Sequence, residues 1–247
     1  MFARWIASVF VPFAAANASA AVTVNRQPPV VEQKTFDPVD PPKEMPHLNR
    51  GEAAVTESVF QCGVSTTYHI IERHPRDGRS ESVLKIDGLE MTLQLRITIW
   101  LPNKAPQKLA NHEEGHRRMA ERIYRESAES AARAAAAKLD GKQVRGTGSE
   151  YESAASTALN DADTRLCQDY LNQTGSMASR LGDIYDELTA HGTKLSPTEE
   201  EAIAQSFDRY AKEQESAERK SPGRETPSGP NNSSRQIQIF PATRPRR

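Results

Sequence analysis

Residues 91–101 read MTLQLRITIWL, with an apolar side chain at every odd-numbered position. This period of two predicts a β-strand that buries one of its faces. Residues 64–74 are rich in β-branched and aromatic side chains, and residues 80–86 form a shorter run of the same kind. Asp77-Gly78 predicts the turn between these two runs. We expect the three strands to pair as a small antiparallel sheet.

A long helix is predicted directly after this sheet, at residues 106–139. It contains the sequence HEEGH, in which His112 and His116 project from one face because residues four apart lie one turn above each other. In an HExxH motif this spacing lets two imidazoles share one zinc ion. The intervening glutamate, here Glu113, acts as general base beside a metal-bound water.

The motif lies on the apolar stripe of the predicted helix and not on its charged side. The stripe consists of Leu109, His112, Glu113, His116, Met119, Ala120 and Ile123. Burying a glutamate there without compensation is expensive, and a metal with its water accounts for that cost. Gly115 is a poor helix former, so its place in the motif predicts close packing against another element.

A zinc ion with a catalytic role needs a third protein ligand. A second helical region begins near residue 150, with a break expected near residue 175, and its apolar stripe leads to His191. We take His191 as the first choice for third ligand. Asp186 is the alternative, either as a ligand or as a carboxylate that orients a ligating histidine, and Glu187 could orient a histidine in the same way.

The order of these features resembles a bacterial domain of unknown function whose members are predicted secreted zinc-dependent proteases. Its motifs are HExxH and a later YDxxTxHG, which correspond here to HEEGH and to YDELTAHG at residues 185–192. The resemblance covers roughly residues 66–192. It implies that His112 and His116 bind zinc and that Glu113 is the catalytic base. It also implies that the second half of the site contains Tyr185, Asp186, Thr189 and His191.

Tyr185 has two interpretations at this stage. Its hydroxyl could donate a hydrogen bond to a tetrahedral oxyanion, which would make it a catalytic residue. Alternatively, Tyr185 and Asp186 cap and pack the helix end.

We therefore expect an α+β, zincin-like fold, in which a small antiparallel sheet is followed by long helices that carry the metal site. Residues 1–20 have the pattern of a signal peptide cleaved after Ala20, and residues 21–57 read as a proline-rich linker. Residues 58–219 would form the metallopeptidase domain with a C-terminal helix. Residues 220–247 read as a disordered tail.

Cysteine content and charge limit the compartment and the partners. Cys62 and Cys167 are the two cysteines, and after a signal peptide they predict one disulfide, with free thiols or thiolate metal ligands as alternatives. With 32 basic against 33 acidic residues and a net charge of −1, the chain has no basic excess for nucleic acid. No stretch after residue 20 is apolar enough to span a membrane. The mature chain is predicted to be periplasmic or secreted.

Two functions of different class follow. The first is a zinc metallopeptidase with Zn²⁺ as cofactor and a peptide or protein as substrate. The second is a non-catalytic periplasmic helical interaction protein, in which the alanine-rich segment 131–137 mediates assembly.

Overall fold

The computed structural model describes residues 21–48, 51–194 and 196–220, which form a mixed β-sheet with helices packed on one face. The strands and helices of this part of the chain are β1 (Ala21–Arg26), β2 (Val30–Phe36), β3 (Val55–Arg76), β4 (Arg79–Pro102), α1 (Gln107–Glu126), α2 (Ala128–Ala137), β5 (Gln143–Gly148), α3 (Tyr151–Thr189) and α4 (Glu199–Lys220).

β4 is the centre of the sheet, because each of the other four strands pairs with it. β3 runs antiparallel to β4 along nearly its whole length. The opposite edge of β4 is shared by three strands in succession: β5 pairs antiparallel with residues 80–85, β1 pairs parallel with residues 88–93, and β2 pairs parallel with residues 96–102. The sheet is therefore only three strands wide at any point, although β4 is 24 residues long.

The buried face of β4 matches the alternation seen in the sequence. Its odd-numbered side chains from Leu89 to Leu101 are at most 5% exposed and pack with the helices in the main hydrophobic core. On the opposite face most even-numbered side chains reach solvent, but Trp100 is covered by Phe36 and Met45 in a small second cluster. The sheet is thus half-buried, as a period of two predicts.

The predicted small antiparallel sheet followed by long helices is wrong, and so is the zincin-like layout built on it. β1 and β2 join β4 in parallel, and β5 lies between α2 and α3 along the chain. The two segments 80–86 and 91–101 also belong to one strand, because the backbone stays extended through Gly88. Local periodicity could not reveal the parallel pairs, since they join strands that are more than 60 residues apart.

The proline-rich segment 21–57, predicted to be a linker, contains β1, β2 and the first residues of β3. The two strands read AVTVNR and VVEQKTF and are rich in β-branched residues, which favour extended structure. Pro28 and Pro29 lie between the strands, where the ladder needs no backbone donor. The proline content of the whole segment indicated a linker, whereas these two short runs within it favour strands.

Polar contacts bind the end of β1 to the end of α1. The Arg26 guanidinium donates hydrogen bonds to the carbonyls of Tyr124 (3.2 Å) and Arg125 (2.7 Å) in the last turn of α1. A cation suits this position, because the helix dipole is negative there. The Tyr124 hydroxyl lies within hydrogen-bond distance of the carbonyls of Gln27 (2.9 Å) and Leu93 (2.8 Å). The N-terminal strands are therefore part of the folded domain.

The helices also differ from the predicted boundaries. The helix expected at residues 106–139 is divided at Ser127 into α1 and α2, whereas α3 runs through Gly175 without the expected break. The alanines of α2 that face inward are buried in the main core: Ala128, Ala131, Ala132, Ala135 and Ala136. These side chains are consequently not available for the assembly role considered in the interaction-protein hypothesis.

The predicted disulfide between Cys62 and Cys167 is confirmed, and it joins β3 to α3 across 105 residues. A disulfide of this kind fits an oxidising compartment. Among the residues that the structure describes, no helix is long and apolar enough to cross a membrane. The predicted signal peptide at residues 1–20 and nearly all of the predicted tail, residues 221–247, lie outside the described residues.

We expect the disulfide to contribute several kcal/mol to stability, since it closes a long loop in the unfolded chain. The Cys62→Ala/Cys167→Ala variant should lose roughly 4 kcal/mol of unfolding free energy, measured by urea denaturation. Reduction with dithiothreitol should destabilise the wild type by a similar amount and leave the variant unchanged. Equal stability of variant and wild type would contradict this expectation.

Candidate metal centre

The HEEGH motif lies on the inner face of α1, as predicted. His112 and Glu113 are 3% and 4% exposed, and the His116 side chain is 20% exposed. The two imidazole rings lie 4.8 Å apart, centroid to centroid, and nearly perpendicular to each other. The motif is therefore neither a solvated charge cluster nor sealed in the core, because His116 borders solvent.

Asp186, one turn before the end of α3, lies directly opposite the two histidines. Its Oδ1 atom is 3.2 Å from His112 Nε2 and 3.0 Å from His116 Nε2. One potential ligand atom from each of these residues lies within 4.8 Å of the other two. The three residues could together hold a metal ion, with two nitrogens and one oxygen as donors.

The third member of this cluster is therefore Asp186 and not the first choice, His191. The His191 side chain is 51% exposed, and its Nδ1 atom is 3.8 Å from Asp186 Oδ1. His191 does not belong to the cluster of His112, His116 and Asp186. Helix α3 ends at Thr189, so His191 is not carried on the helical stripe that the sequence suggested.

The histidines determine the charge state of Asp186. Burial alone would raise the pKa of its carboxyl, but the hydrogen bonds and positive charge of His112 and His116 outweigh that effect and hold the pKa well below its usual range. The carboxylate is thus ionised at neutral pH. A metal ion binds the ionised form of a carboxylate and the unprotonated nitrogen of a neutral imidazole.

Glu113 points towards the sheet, where Thr56 of β3 contacts it. The Thr56 hydroxyl lies 2.8 Å from Glu113 Oε2 and 3.0 Å from the Glu113 carbonyl oxygen. Burial raises the pKa of the Glu113 carboxyl, opposed by the charges of His116 and His112 and by the Thr56 hydrogen bond. Glu113 is therefore a buried carboxyl group held beside the histidines, with a proton affinity above that of an exposed glutamate.

The Tyr185 side chain extends from α3 towards α1 and packs on both histidines. Its ring stacks on His112 and meets His116 edge-on, with both centroid distances at 5.0 Å. The hydroxyl is 3.5 Å from the His112 carbonyl oxygen, and the side chain is fully buried. Burial raises the pKa of the Tyr185 phenol, which keeps it protonated. This placement favours the packing interpretation of Tyr185 over a role at a substrate oxyanion.

Gly115 makes the position of Tyr185 possible. A Cβ atom at residue 115 would lie 2.6 Å from Tyr185 Cζ, closer than real contacts allow, so a larger residue would force the helices apart. The close packing predicted at Gly115 is therefore present, and Tyr185 is the residue that requires it.

The outer ring nitrogen of His112 faces Thr189. His112 Nδ1 is 3.4 Å from Thr189 Oγ1, and the Thr189 hydroxyl donates a 2.8 Å hydrogen bond to the Tyr185 carbonyl. With its proton used in this way, the Thr189 oxygen can accept from Nδ1–H and leave Nε2 as the metal-binding nitrogen. Gly192 packs against the same histidine, since a Cβ there would lie 2.8 Å from His112 Cβ.

The other predicted site residue, Glu187, faces away from the cluster and forms an ion pair with Arg209 of α4. Glu52 was not predicted as a site residue. It forms a second group of potential metal ligands with Asp186 and His191. Glu52 also lines a cavity of about 500 Å³ with Phe36, Met45, Leu48 and several prolines. His112, His116 and Asp186 are not among the residues that line this cavity, and its Phe36 and Met45 cover Trp100 on the face of β4 opposite the helices.

Sequence reasoning missed Thr56 and Glu52. The run VTESVF at residues 55–60, in which four of six residues are β-branched or aromatic, could have predicted a strand that contains Thr56. Nothing local in the sequence connects that strand to α1, or the loop residue Glu52 to the end of α3.

Replacing Gly115 with Ala should destabilise the protein by about 1–3 kcal/mol, because the methyl group meets the buried Tyr185 ring. Urea denaturation measures the change. Gly175→Ala is the matched control, since a Cβ there meets nothing within 4 Å and alanine favours the helix. Adding Tyr185→Phe should recover part of the loss in Gly115→Ala. A stabilising Gly115→Ala would contradict the tight contact.

Replacing Thr189 with Val should weaken metal binding by roughly 10–100-fold, because His112 loses the partner that orients its ring. Competition with a chromophoric chelator measures the affinity. Thr174→Val is the control: Thr174 is also buried in α3, but its hydroxyl bonds only to carbonyls of its own helix, at 3.0 Å from Tyr170 O. Equal metal affinities in the two variants would show that Thr189 does not orient the His112 ring for metal binding.

Comparison with protein-family models, curated proteins and solved structures finds no match for this chain. The resemblance of HEEGH and YDELTAHG to predicted secreted proteases therefore remains an expectation from the sequence. The geometry of the candidate site is the remaining indication of function. Its residues are His112, Glu113, His116 and Asp186.

Proposed function

We propose that this protein is a zinc-dependent metallopeptidase of the periplasm or the extracellular space. One observation carries the proposal: His112, His116 and Asp186 come together at ligand distance, and Glu113 is buried beside them. Two imidazoles and one carboxylate form a set of three protein ligands, which in catalytic zinc sites leaves a further position for water or substrate.

The donor set fits zinc in several respects. His112 and His116 present nitrogens to one point, and the low pKa of the Asp186 carboxyl keeps it negatively charged. Thr189 is placed to hold the His112 ring in the tautomer that a metal requires. Two histidines and one carboxylate also suit iron(II), but the glutamate inside HExxH favours a hydrolytic zinc site.

The residues of the site have distinct roles in the proposed hydrolysis. When bound, zinc would acidify water and polarise a peptide carbonyl. Glu113 accepts the proton of the attacking water on its carboxylate and later returns it to the leaving amine. Thr56 holds that carboxylate in place through the hydrogen bond to Oε2. Tyr185 and Gly115 keep α1 and α3 at the separation that the ligands need.

The HExxH pattern at residues 112–116 supports a peptide as substrate, because metallopeptidases use the glutamate of this motif as general base. The disulfide supports the proposed compartment, and so does the signal-peptide pattern of residues 1–20.

The proposal is tested by separating metal binding from catalysis. Purified without chelators, the wild type should contain zinc and cleave a mixture of unstructured peptides, followed by mass spectrometry. Glu113→Gln should keep its zinc but lose hydrolysis by about 100-fold or more, because the amide cannot accept the proton. His116→Ala should lose both zinc and hydrolysis. Glu114→Gln, a change on the neighbouring residue, should lose neither.

Two results would reject the proposal. The first is a wild type that binds iron but not zinc. The second is a Glu113→Gln variant that cleaves peptides as fast as the wild type, since Glu113 would then not be the base.

A further inference from the structure

Asp186 belongs to two groups of potential metal ligands. The first is the cluster with His112 and His116. The second contains Glu52 and His191, and one ligand atom of each of these residues lies within 4.8 Å of the others and of an Asp186 oxygen. The aspartate is therefore common to two sets of side chains, one on α1 and one on the segments that border α3.

We propose that Glu52, Asp186 and His191 hold a second divalent cation, with Asp186 shared between the two metals. This inference rests on the proposed zinc centre, because the shared carboxylate must already carry the first ion. The distances agree with sharing: Asp186 Oδ1 is 3.0 Å from His116 Nε2 and 3.8 Å from His191 Nδ1. Carboxylates commonly bridge the paired ions of two-metal hydrolases.

An unusual turn brings His191 to this position. In a continuous helix, residues five apart do not share a face, so His191 would point away from Asp186. Instead Ala190 and His191 have left-handed backbone angles, with φ of 46° and 52°, and Gly192 continues the turn with φ of 74°. Left-handed conformations are unfavourable for residues other than glycine, and they persist only where the surroundings impose them.

Hydrogen bonds within the turn impose that conformation. The His191 backbone N–H donates to the Asp186 carbonyl at 3.2 Å, and the Lys194 N–H donates to the Thr189 carbonyl at 3.0 Å. The Thr193 hydroxyl donates to the Ala190 carbonyl at 2.7 Å. The chain therefore folds back directly after α3 and brings His191 Nδ1 to 3.8 Å from Asp186 Oδ1.

Glu52 is the third member of the group. It precedes Ala54, which is only 2% exposed, and Val55, where β3 begins, so its backbone is close to fixed structure. Carboxylate oxygens are ligands that divalent cations bind in proteins. One imidazole nitrogen and two carboxylates suit zinc, manganese and similar ions.

The proposed site makes a definite prediction for metal stoichiometry. Metal-free full-length protein, dialysed to equilibrium against buffered zinc, should bind about two ions per chain by mass spectrometry of the metal content, one tightly and one more weakly. Glu52→Gln and His191→Ala should each lower the total to about one. His69→Ala and Glu187→Gln are matched controls, because these side chains pair with Asp87 and Arg209 away from the centre. Both controls should keep about two.

Loading with manganese gives an independent measurement. Two ions that share Asp186 should show magnetic coupling in the electron paramagnetic resonance spectrum of the wild type. The coupling should be absent in Glu52→Gln, which replaces a carboxylate by an amide of the same shape and so should retain the fold.

The outcomes separate this inference from the proposed function. A wild type that binds one zinc, with Glu52→Gln and His191→Ala unchanged, overturns the second site and leaves the first intact. Complete loss of zinc in His191→Ala also overturns it, because His191 would then be a ligand of the first ion. A wild type that binds no metal removes both centres.

Discussion

The contact between Gly115 of α1 and Tyr185 of α3 sets the distance between the two helices that carry the candidate site. Because residue 115 has no side chain, the tyrosine ring lies directly against α1 and stacks on His112. Asp186 is the next residue on α3, so the same approach brings its carboxylate to within 3.2 Å of both histidine Nε2 atoms. Helices kept apart by a larger residue at position 115 could not form this ligand cluster.

The sheet packs against this pair of helices through its apolar face. The apolar face of β4 provides the surface on which the helices pack, and the Cys62–Cys167 disulfide attaches α3 to β3. β3 also supplies Thr56, which contacts Glu113. One strand thus holds α3 covalently and orients the candidate base on α1 through a hydrogen bond. The relative position of base and ligands is determined by the core and not by surface loops alone.

Residues of the site that lie on regular structure were largely predictable, and those that depend on distant segments were not. HExxH spacing and the apolar stripe placed His112, Glu113 and His116 correctly on one helix face. The poor helix propensity of Gly115 correctly indicated close packing. The third ligand was different: the helical pattern in the sequence extended to residue 191, whereas the helix ends at Thr189 and the next two residues are left-handed. Periodicity describes a helix but does not reveal where tertiary contacts end it.

The cluster is already arranged for a cation by its own hydrogen bonds. In the protein alone, the imidazoles of His112 and His116 face one ionised carboxylate, and protons on the ring nitrogens can bridge the gap. A metal ion at this position would take the place of those protons, so its binding would exchange protons for the cation with little movement of the ligands. Thr189 can then accept from the other nitrogen of His112, because its own proton is given to the Tyr185 carbonyl. The fold therefore bears the ordering cost of these three side chains by itself, which would favour tighter binding of a cation here than at the more exposed His191.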